Sequence, residues 1–181
     1  PAVESLGAVS VICSDKTGTL TRNEMTVREV FTAAHHYRVE GVGYAPQGTV
    51  HCDDGQLCTL DSADDLRELV RAGLLANNAS LCLSDEQWCI TGDPTEAALL
   101  TLAGKLGLQL TQESQNLPQL DAIPFSSERR CMASLHHDHA GHGLVYLVGA
   151  PERLLEVCNR QWCAGRDEPG AVLVMVEAHD P

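Results

Sequence analysis

One stretch of the sequence, GDPTEAALLTLAGKLG at residues 92–107, constrains the fold more than any other, because it carries both the start and the end of a helix. Asp93 is a preferred N-cap residue, and Pro94 suits the first helical position. Glu96 stands where a capping box places its acid, and Gly107 supplies a stop signal. The sequence therefore predicts a helix over these residues.

Two further helices are predicted from the spacing of apolar residues. Residues 61–80 offer Asp61 or Ser62 as the cap and acids in the first turn. Their apolar residues recur at helical spacing, as Leu66, Leu69, Val70, Leu74 and Leu75. Residues 151–159, PERLLEVCN, begin with proline and predict a shorter helix.

The remaining apolar segments have the alternating or Gly-punctuated pattern of strands joined by turns. We predict strands within residues 8–13, 25–32, 37–50, 86–91, 119–125, 130–137, 143–148 and 171–176. Strands arranged in hairpins together with three helices indicate an α+β fold.

The charge balance limits the partners of the chain. Its 12 Lys and Arg residues stand against 25 Asp and Glu residues, so the formal net charge is −13. Such a surface repels nucleic acid and anionic membranes, and we expect neither as a partner. Binding of a polyphosphate must then depend on a local pocket or on a metal ion.

The cysteines, the short apolar runs and the start of the chain together suggest a soluble, cytosolic piece of a longer protein. The eight cysteines form no C-x-x-C pair, which favours free thiols in a reducing cytosol. No apolar run approaches the roughly 20 residues of a membrane-spanning helix. The chain begins with PAVESLG and not with Met, which suggests that it was excised from a larger protein.

An acidic residue follows the predicted strand AVSVIC at residues 8–13. Asp15 lies at the carboxyl end of this strand, where open α/β sheets gather their chemistry. Lys16 adds a positive charge, Thr17 adds a hydroxyl, and Gly18 lets backbone N–H groups face an anion. Asp15 could therefore coordinate magnesium or attack a phosphorus atom. A turn-initiating Asp with polar neighbours remains the competing interpretation of the motif.

The heptapeptide DKTGTLT at residues 15–21 resembles, without a gap, the phosphorylation motif of P-type cation-transporting ATPases. Other segments similar to this family follow in the expected order, as EGVGYAPQG, LLANNASL, GDPTEAALL, IPFSSERRCMA and VGAPERLLEVC. The resemblance covers residues 5–160 and points to the calcium-pump-like members of the family.

This resemblance implies a nucleotide-binding domain with a mainly antiparallel β-sheet flanked by helices, here residues 30–181. Residues 1–29 would form a hinge and a stub of the Rossmann-like phosphorylation domain. The sequence lacks the second half of that domain and the ion-binding membrane helices. We therefore expect ATP binding without turnover in this chain. The parent would be an integral membrane pump, with phosphorylation, actuator and membrane domains as partners and this domain on the cytoplasmic side.

The resemblance assigns phosphoryl transfer to three consecutive residues. Asp15 is the implied nucleophile, Lys16 is its cationic neighbour, and magnesium is held by Asp15 and the main chain of Thr17. Related phosphohydrolases of the haloacid-dehalogenase type carry a second acid at the position of Thr17. Without that acid, an aspartyl phosphate should persist long enough for a conformational change.

The resemblance also implies a site for ATP. Its members are Thr95, Glu96, Phe125, Ser127, Arg130, Met132, Gly149 and Ala150. Phe125 would stack on adenine and Glu96 would lie beside it, although a core Phe and a capping-box acid are the structural alternatives. Arg129 and Arg130 should point to opposite faces of an extended strand, so at most one of them should serve the phosphates.

One position departs from the family pattern. Val148 stands where relatives carry the Lys of a Lys-Gly-Ala motif, so we expect weaker nucleotide binding than in a Lys-bearing relative. This departure favours a non-catalytic nucleotide-binding or regulatory module as the alternative function. A phosphohydrolase ranks lower because of Thr17. Calcium is the favoured ion of the parent, ahead of manganese, sodium and magnesium.

A His-rich stretch, HHDHAGH at residues 136–142, could bind a transition metal because its imidazoles are crowded together. No helical carboxylate–His spacing fixes a site, however. We favour a solvated hairpin loop between the two predicted strands on either side.

Overall fold

The computed structural model describes residues 24–163, 166–169 and 175–179, together with residues 11 and 13. Within these ranges the chain forms four helices and eleven strands. In chain order they are β1 (Thr26–Phe31), β2 (His36–Val39), β3 (Val50–Cys52), α1 (Asp64–Leu75), β4 (Ser80–Ser84), β5 (Gln87–Thr91), α2 (Pro94–Lys105), α3 (Leu110–Asn116), β6 (Gln119–Ser126), β7 (Cys131–His137), β8 (Gly143–Gly149), α4 (Pro151–Val157), β9 (Arg160–Cys163), β10 (Arg166–Pro169) and β11 (Met175–His179).

All pairings among the described strands are antiparallel, which confirms the α+β class. The order β11-β1-β2-β3 forms a four-stranded sheet, and β6-β7-β8 forms a three-stranded sheet. Strands β4 and β5, and likewise β9 and β10, form separate hairpins. Of the predicted stub and hinge over residues 1–29, the structure describes only residues 11, 13 and 24–29. The predicted boundary after residue 29 falls inside β1 and stays a prediction.

The main core lies between the four-stranded sheet and helices α1 and α2. Its largest members are at most 2% exposed and are Val30, Tyr37, Val50, Leu66 and Leu102. Burying one large apolar side chain contributes about 1.5–3 kcal/mol. Packing of the helices on this sheet therefore provides much of the stability. In the described part of the chain, no helix is long and apolar enough to cross a membrane.

Helix α2 is capped as predicted. Oδ1 of Asp93 accepts hydrogen bonds from the backbone N–H groups of Thr95 and Glu96, at 2.8 and 3.3 Å. Pro94 occupies the first helical position. Gly107 follows the last turn with φ +81°, a left-handed conformation that glycine adopts without strain. These signals act locally, which is why the sequence predicts them.

Helix α1 is shorter than predicted at both ends. It begins at Asp64 without a side-chain cap, because Oγ of Ser62 donates to the carbonyl of Thr59 and forms a turn instead. It ends at Leu75, and the chain then enters strand β4, which the sequence pattern does not predict.

Helix α3 and the β9–β10 hairpin are also missing from the prediction. The sequence of α3, LTQESQN, has no apolar periodicity. Its buried Glu113 instead accepts a hydrogen bond of 2.7 Å from Nε of Arg71 on α1, so a tertiary ion pair fixes this helix. Of the strand predicted over 171–176, only 175–176 belong to β11, and 171–174 lie outside the described residues.

Candidate nucleotide site

A small cleft lies between the end of α1 and strands β6 and β7. Its volume is about 60 Å³. Typical small-molecule pockets have volumes of roughly 300–1,000 Å³. A nucleotide base could therefore contact the opening of this cleft but could not be enclosed by it. The cleft is lined mainly by the residues that follow α1 and by the facing parts of the two strands, including Asn77, Asn78, Ile123, Pro124 and Met132.

Glu96 lies in the first turn of α2 but does not complete the predicted capping box. Its Oε2 accepts a hydrogen bond of 2.6 Å from the backbone N–H of Asn78, because the connection after α1 brings that donor to the carboxylate. Within the described residues, no hydrogen bond reaches Oε1. Among the described residues the carboxylate is therefore held at one oxygen only, so the other oxygen can accept a hydrogen bond from a ligand.

Asn78 connects Glu96 to the cleft. Its backbone holds Glu96, and its side-chain Nδ2 lies 3.9 Å from Sδ of Met132 on β7. Met132 is 6% exposed and forms part of the cleft wall. Two of the predicted site residues, Glu96 and Met132, thus share one neighbour.

A β-bulge sets the position of Phe125. Between Ile123 and Ser126 the register of β6 against β7 shifts by one residue. Pro124 and Phe125 therefore both lie opposite Met132. Bulges bend a strand and redirect its side chains, and proline suits one because it has no N–H to pair. Phe125 is 55% exposed, which excludes the alternative of a core Phe and leaves its ring available for stacking.

The two arginines lie in a turn and not in a strand, which corrects the prediction of opposite faces. Strand β6 ends at Ser126 and β7 begins at Cys131, so both arginines lie between the two strands. Arg130 adopts the left-handed φ of +54°. Arg130 forms an ion pair with Glu152 of α4, and Nη2 of Arg129 donates to the carbonyl of Pro124 at 2.8 Å. Ser127 lies exposed in the same turn. Both guanidinium groups already have protein partners.

Strand β8 brings Gly149 and Ala150 to the same end of the sheet. A Cβ atom on Gly149 would lie 2.4 Å from the carbonyl oxygen of Arg130. The N–H of Ala150 donates to that same oxygen at 2.8 Å. Sheet packing alone therefore requires glycine at position 149, whatever binds beside it.

The predicted nucleotide residues lie around one end of the three-stranded sheet and the start of α2. Val148 pairs directly with Met132, so their side chains share a face. Thr95 is exposed in the first turn of α2. The predicted catalytic residues and magnesium ligands lie outside the described residues, and they are Asp15, Lys16 and Thr17. The assignment of a nucleotide to this region stays a prediction.

Asn77 and Asn78 belong to this region but are not among the site residues predicted from the sequence. The apolar periodicity of residues 61–80 places both inside a helix, whereas they form the connection between α1 and β4. An Asn-Asn pair is a poor helix-interior sequence, because its side chains compete for backbone groups. That competition is the signal that could have located the end of the helix.

The His-rich stretch is only partly the predicted solvated loop. His136 lies in β7 and is 1% exposed. Its Nδ1 donates to the carbonyl of Leu117 at 2.9 Å, and its Nε2 lies 2.8 Å from Oγ of Ser134. Asp138 accepts the N–H of His142 at 2.7 Å and closes the loop before β8. No group of three or more metal-binding side chains occurs among the residues that the structure describes.

Comparison with known proteins gives a family match and close relatives. The family model described as "P-type ATPase, cytoplasmic domain N" matches residues 65–171. Three relatives show how similar the chain is to complete proteins. The probable cation-transporting ATPase F of Mycobacterium tuberculosis is 44% identical over 161 residues, which cover 89% of this chain and 18% of that protein. The calcium-transporting ATPase of Bacillus subtilis is 35% identical over 165 residues, covering 91% and 18%.

The human calcium-transporting ATPase type 2C member 2 is 40% identical over 171 residues, which cover 88% of this chain and 17% of that protein. The chain thus spans less than a fifth of the length of these relatives.

Proposed function

This chain belongs to the P-type cation-transporting ATPases, and from that premise we propose that it binds ATP as the nucleotide-binding domain of an ion pump. The match to cytoplasmic domain N covers more than half of the chain. Glu96 and Phe125 are the proposed contacts to the adenine base, with Met132 as an apolar wall.

One arrangement carries this proposal. The ring of Phe125 is exposed at a bulge opposite Met132, and Met132 neighbours the residue that holds Glu96. Adenine has a flat face for stacking on an aromatic ring and an exocyclic amine that can donate to a carboxylate. These two features match the two kinds of group that the chain presents here.

The proposed site offers little unpaired positive charge to the phosphates of ATP. Arg130 is paired with Glu152, Val148 replaces the Lys of relatives, and the chain carries a net charge of −13. The shallow cleft gives the base little enclosure. We therefore propose modest affinity for ATP, of the order of ~1 mM.

In the parent protein we propose ATP-driven transport of a cation across a membrane, with calcium favoured. Oδ of Asp15 attacks the γ-phosphate of ATP, the bond to the β-phosphate oxygen breaks, and ADP leaves an aspartyl phosphate. Lys16 would contribute positive charge, and Asp15 and the main chain of Thr17 would hold magnesium, which would neutralise charge on the phosphates. The remaining phosphorylation, actuator and membrane domains act together with this domain, which lies on the cytoplasmic side.

Titration of the isotope-labelled chain with ATP, followed by nuclear magnetic resonance, tests nucleotide binding. We expect saturable shifts at Glu96, Phe125 and Gly149. Inorganic triphosphate is the control for binding through phosphates alone, and Phe125→Ala is expected to weaken binding of ATP. Shifts confined to other regions, or none at high concentration, would remove the proposed site.

A non-catalytic nucleotide-binding module is the second candidate, and Val148 is the observation that favours it. Incubation of the parent protein with γ-labelled ATP separates the two functions. A pump forms an acid-stable adduct that hydroxylamine cleaves and that Asp15→Asn abolishes. A binding module forms no adduct in either version, and a phosphohydrolase releases phosphate without accumulating one.

A further inference from the structure

One side chain joins three backbone segments beside the proposed site. Nδ2 of Asn77 donates to the carbonyl of Gly73 at 2.9 Å and to the carbonyl of Glu96 at 2.8 Å. Oδ1 of Asn77 accepts the N–H of Ala79 at 2.8 Å. Both donor hydrogens and one acceptor position of the carboxamide are therefore in use.

These hydrogen bonds tie the last turn of α1 to the first turn of α2 and to the start of β4. Asn77 thereby fixes the peptide that follows it. The N–H of that peptide belongs to Asn78 and donates to Oε2 of Glu96 at 2.6 Å. Asn77 thus holds Glu96 twice, directly at its carbonyl and indirectly at its carboxylate.

The consequence for Glu96 is a fixed direction for its free oxygen. The half-buried carboxylate has one oxygen bonded to Asn78, and no hydrogen bond reaches the other among the described residues. A carboxylate without this restraint would exchange its oxygens and sample several rotamers. A restrained carboxylate offers one acceptor in one place, which favours a ligand that donates there.

We propose that Asn77 is a positioning residue, which orients Glu96 to accept a hydrogen bond from the 6-amino group of a purine and so selects adenine over 6-oxo purines. The inference rests on the proposed nucleotide function. A 6-oxo purine presents a carbonyl oxygen at the same position. An ionised carboxylate has no proton to donate to that oxygen, so two acceptors would face each other without a hydrogen bond.

ATP and inosine triphosphate provide the test, because the second replaces the 6-amino group by an oxo group. We expect the wild-type chain to bind ATP about tenfold more tightly, the factor typical for one hydrogen bond to a charged group. Asn77→Asp keeps the acceptor and loses both donors at nearly the same size. It should reduce the preference for ATP to less than about twofold, and the added negative charge acts on both triphosphates alike and leaves this ratio unaffected.

The matched control is Asn159→Asp, which makes the same chemical change at an exposed position without a side-chain hydrogen bond in the described part of the chain. It should keep the tenfold preference for ATP. If Asn77 had only a structural role, Asn77→Asp would weaken both nucleotides by the same factor, and that result overturns the proposal. Equal binding of both nucleotides by the wild type also overturns it, but leaves nucleotide binding intact. Binding of neither nucleotide removes the proposed function itself.

A second measurement applies if Asn77→Asp does not fold. Glu96→Ala removes the acceptor of the Asn78 N–H and retains the Asn77 bonds to backbone groups. We expect the amide resonance of Asn78 to move upfield and its hydrogen exchange to accelerate, while the preference for ATP disappears. An unchanged Asn78 amide, or a preference for ATP that persists, contradicts the proposed positioning.

Discussion

Asp65, in the first turn of α1, ties that helix to the four-stranded sheet. Its carboxylate accepts hydrogen bonds from Oγ1 of Thr32 at 2.5 Å and from the hydroxyl of Tyr37 at 3.0 Å, and Nδ1 of His35 lies 3.1 Å away. Burial disfavours the charged form of Asp65, but these hydrogen bonds outweigh burial and lower its pKa. The pKa of Tyr37 is raised, mainly by burial and secondly by the negative charge of Asp65.

Replacing this carboxylate tests its contribution to stability. Asp65→Asn should lower the free energy of unfolding by about 1–3 kcal/mol at neutral pH, because hydrogen bonds to a charged acceptor are lost. A lowered native pKa stabilises the fold above the ordinary value of 3.8, and this contribution disappears as the pH falls through the native pKa. The difference between wild type and variant, measured by urea unfolding, should therefore shrink below that value.

The neighbouring residue supplies the control for Asp65. Asp64→Asn removes the same charge from the same helical turn at an exposed position, and should cost at most about 1 kcal/mol through the helix dipole. Equal losses in the two variants would show that the hydrogen bonds of Asp65 contribute nothing beyond its charge.

A second prediction at this scale concerns Val148. Its side chain shares a face with Met132, which it opposes directly. Val148→Lys should place a cation beside the proposed site and strengthen ATP binding about two- to fivefold, as expected for a partly exposed ion pair. Val145→Lys is the matched control, because residue 145 lies on the same strand but on the opposite face. Calorimetric titration that finds the same ATP affinity in both variants, or a weaker one for Val148→Lys, would contradict this role.

Among the elements, α1 and α2 each contain an internal glycine, and the two differ in what lies beside them. A Cβ on Gly104 of α2 would lie 2.7 Å from Cβ of Pro46. Overpacking costs about 1–3 kcal/mol, whereas the gain in helix propensity is at most about 1 kcal/mol. Gly104→Ala should therefore lower the free energy of unfolding measured in urea.

The matched variant lies in the other helix. A Cβ on Gly73 of α1 would meet Cβ of Leu99 at 3.4 Å, an ordinary contact. Gly73→Ala should then raise the free energy of unfolding by up to about 1 kcal/mol through helix propensity. If Gly104→Ala stabilises the chain as much as Gly73→Ala does, Pro46 is not held against α2.

The elements that the sequence predicts well are those with local signals. Helix α2 carries its cap and stop within its own residues, and strands β6, β7 and β8 show their apolar pattern directly. Helix α1 is predicted too long because Leu-Leu-Ala continues the helical pattern into Asn77, whose side chain then captures the carbonyl of Gly73. Helix α3 depends on the ion pair between Glu113 and Arg71, a contact between distant residues that no local pattern reveals.

At the scale of the whole molecule, the proposed site likewise has some features with a signal in the sequence and others that depend on tertiary contacts. Resemblance to a family predicts Glu96, Phe125 and Met132 as nucleotide contacts, but it does not indicate that Asn78 links Glu96 to Met132. That link requires the α1–β4 connection to contact both α2 and β7. These contacts depend on tertiary packing and on the register of the three-stranded sheet, which a one-residue bulge shifts at Phe125.

The net charge of −13 leads to a prediction for the molecule as a whole. ATP is strongly anionic and adenosine is neutral, so only ATP is repelled by the field of the protein. Raising the ionic strength from about 0.01 to about 0.15 M shortens the Debye length from roughly 30 to roughly 8 Å. The affinity for ATP, measured without magnesium, should therefore rise with salt while that for adenosine stays constant. Arg129 and Arg130 oppose this trend locally, but Arg130 is paired with Glu152. If ATP binds most tightly at low salt, the two arginines outweigh the net charge, and the phosphate end of the site is stronger than proposed.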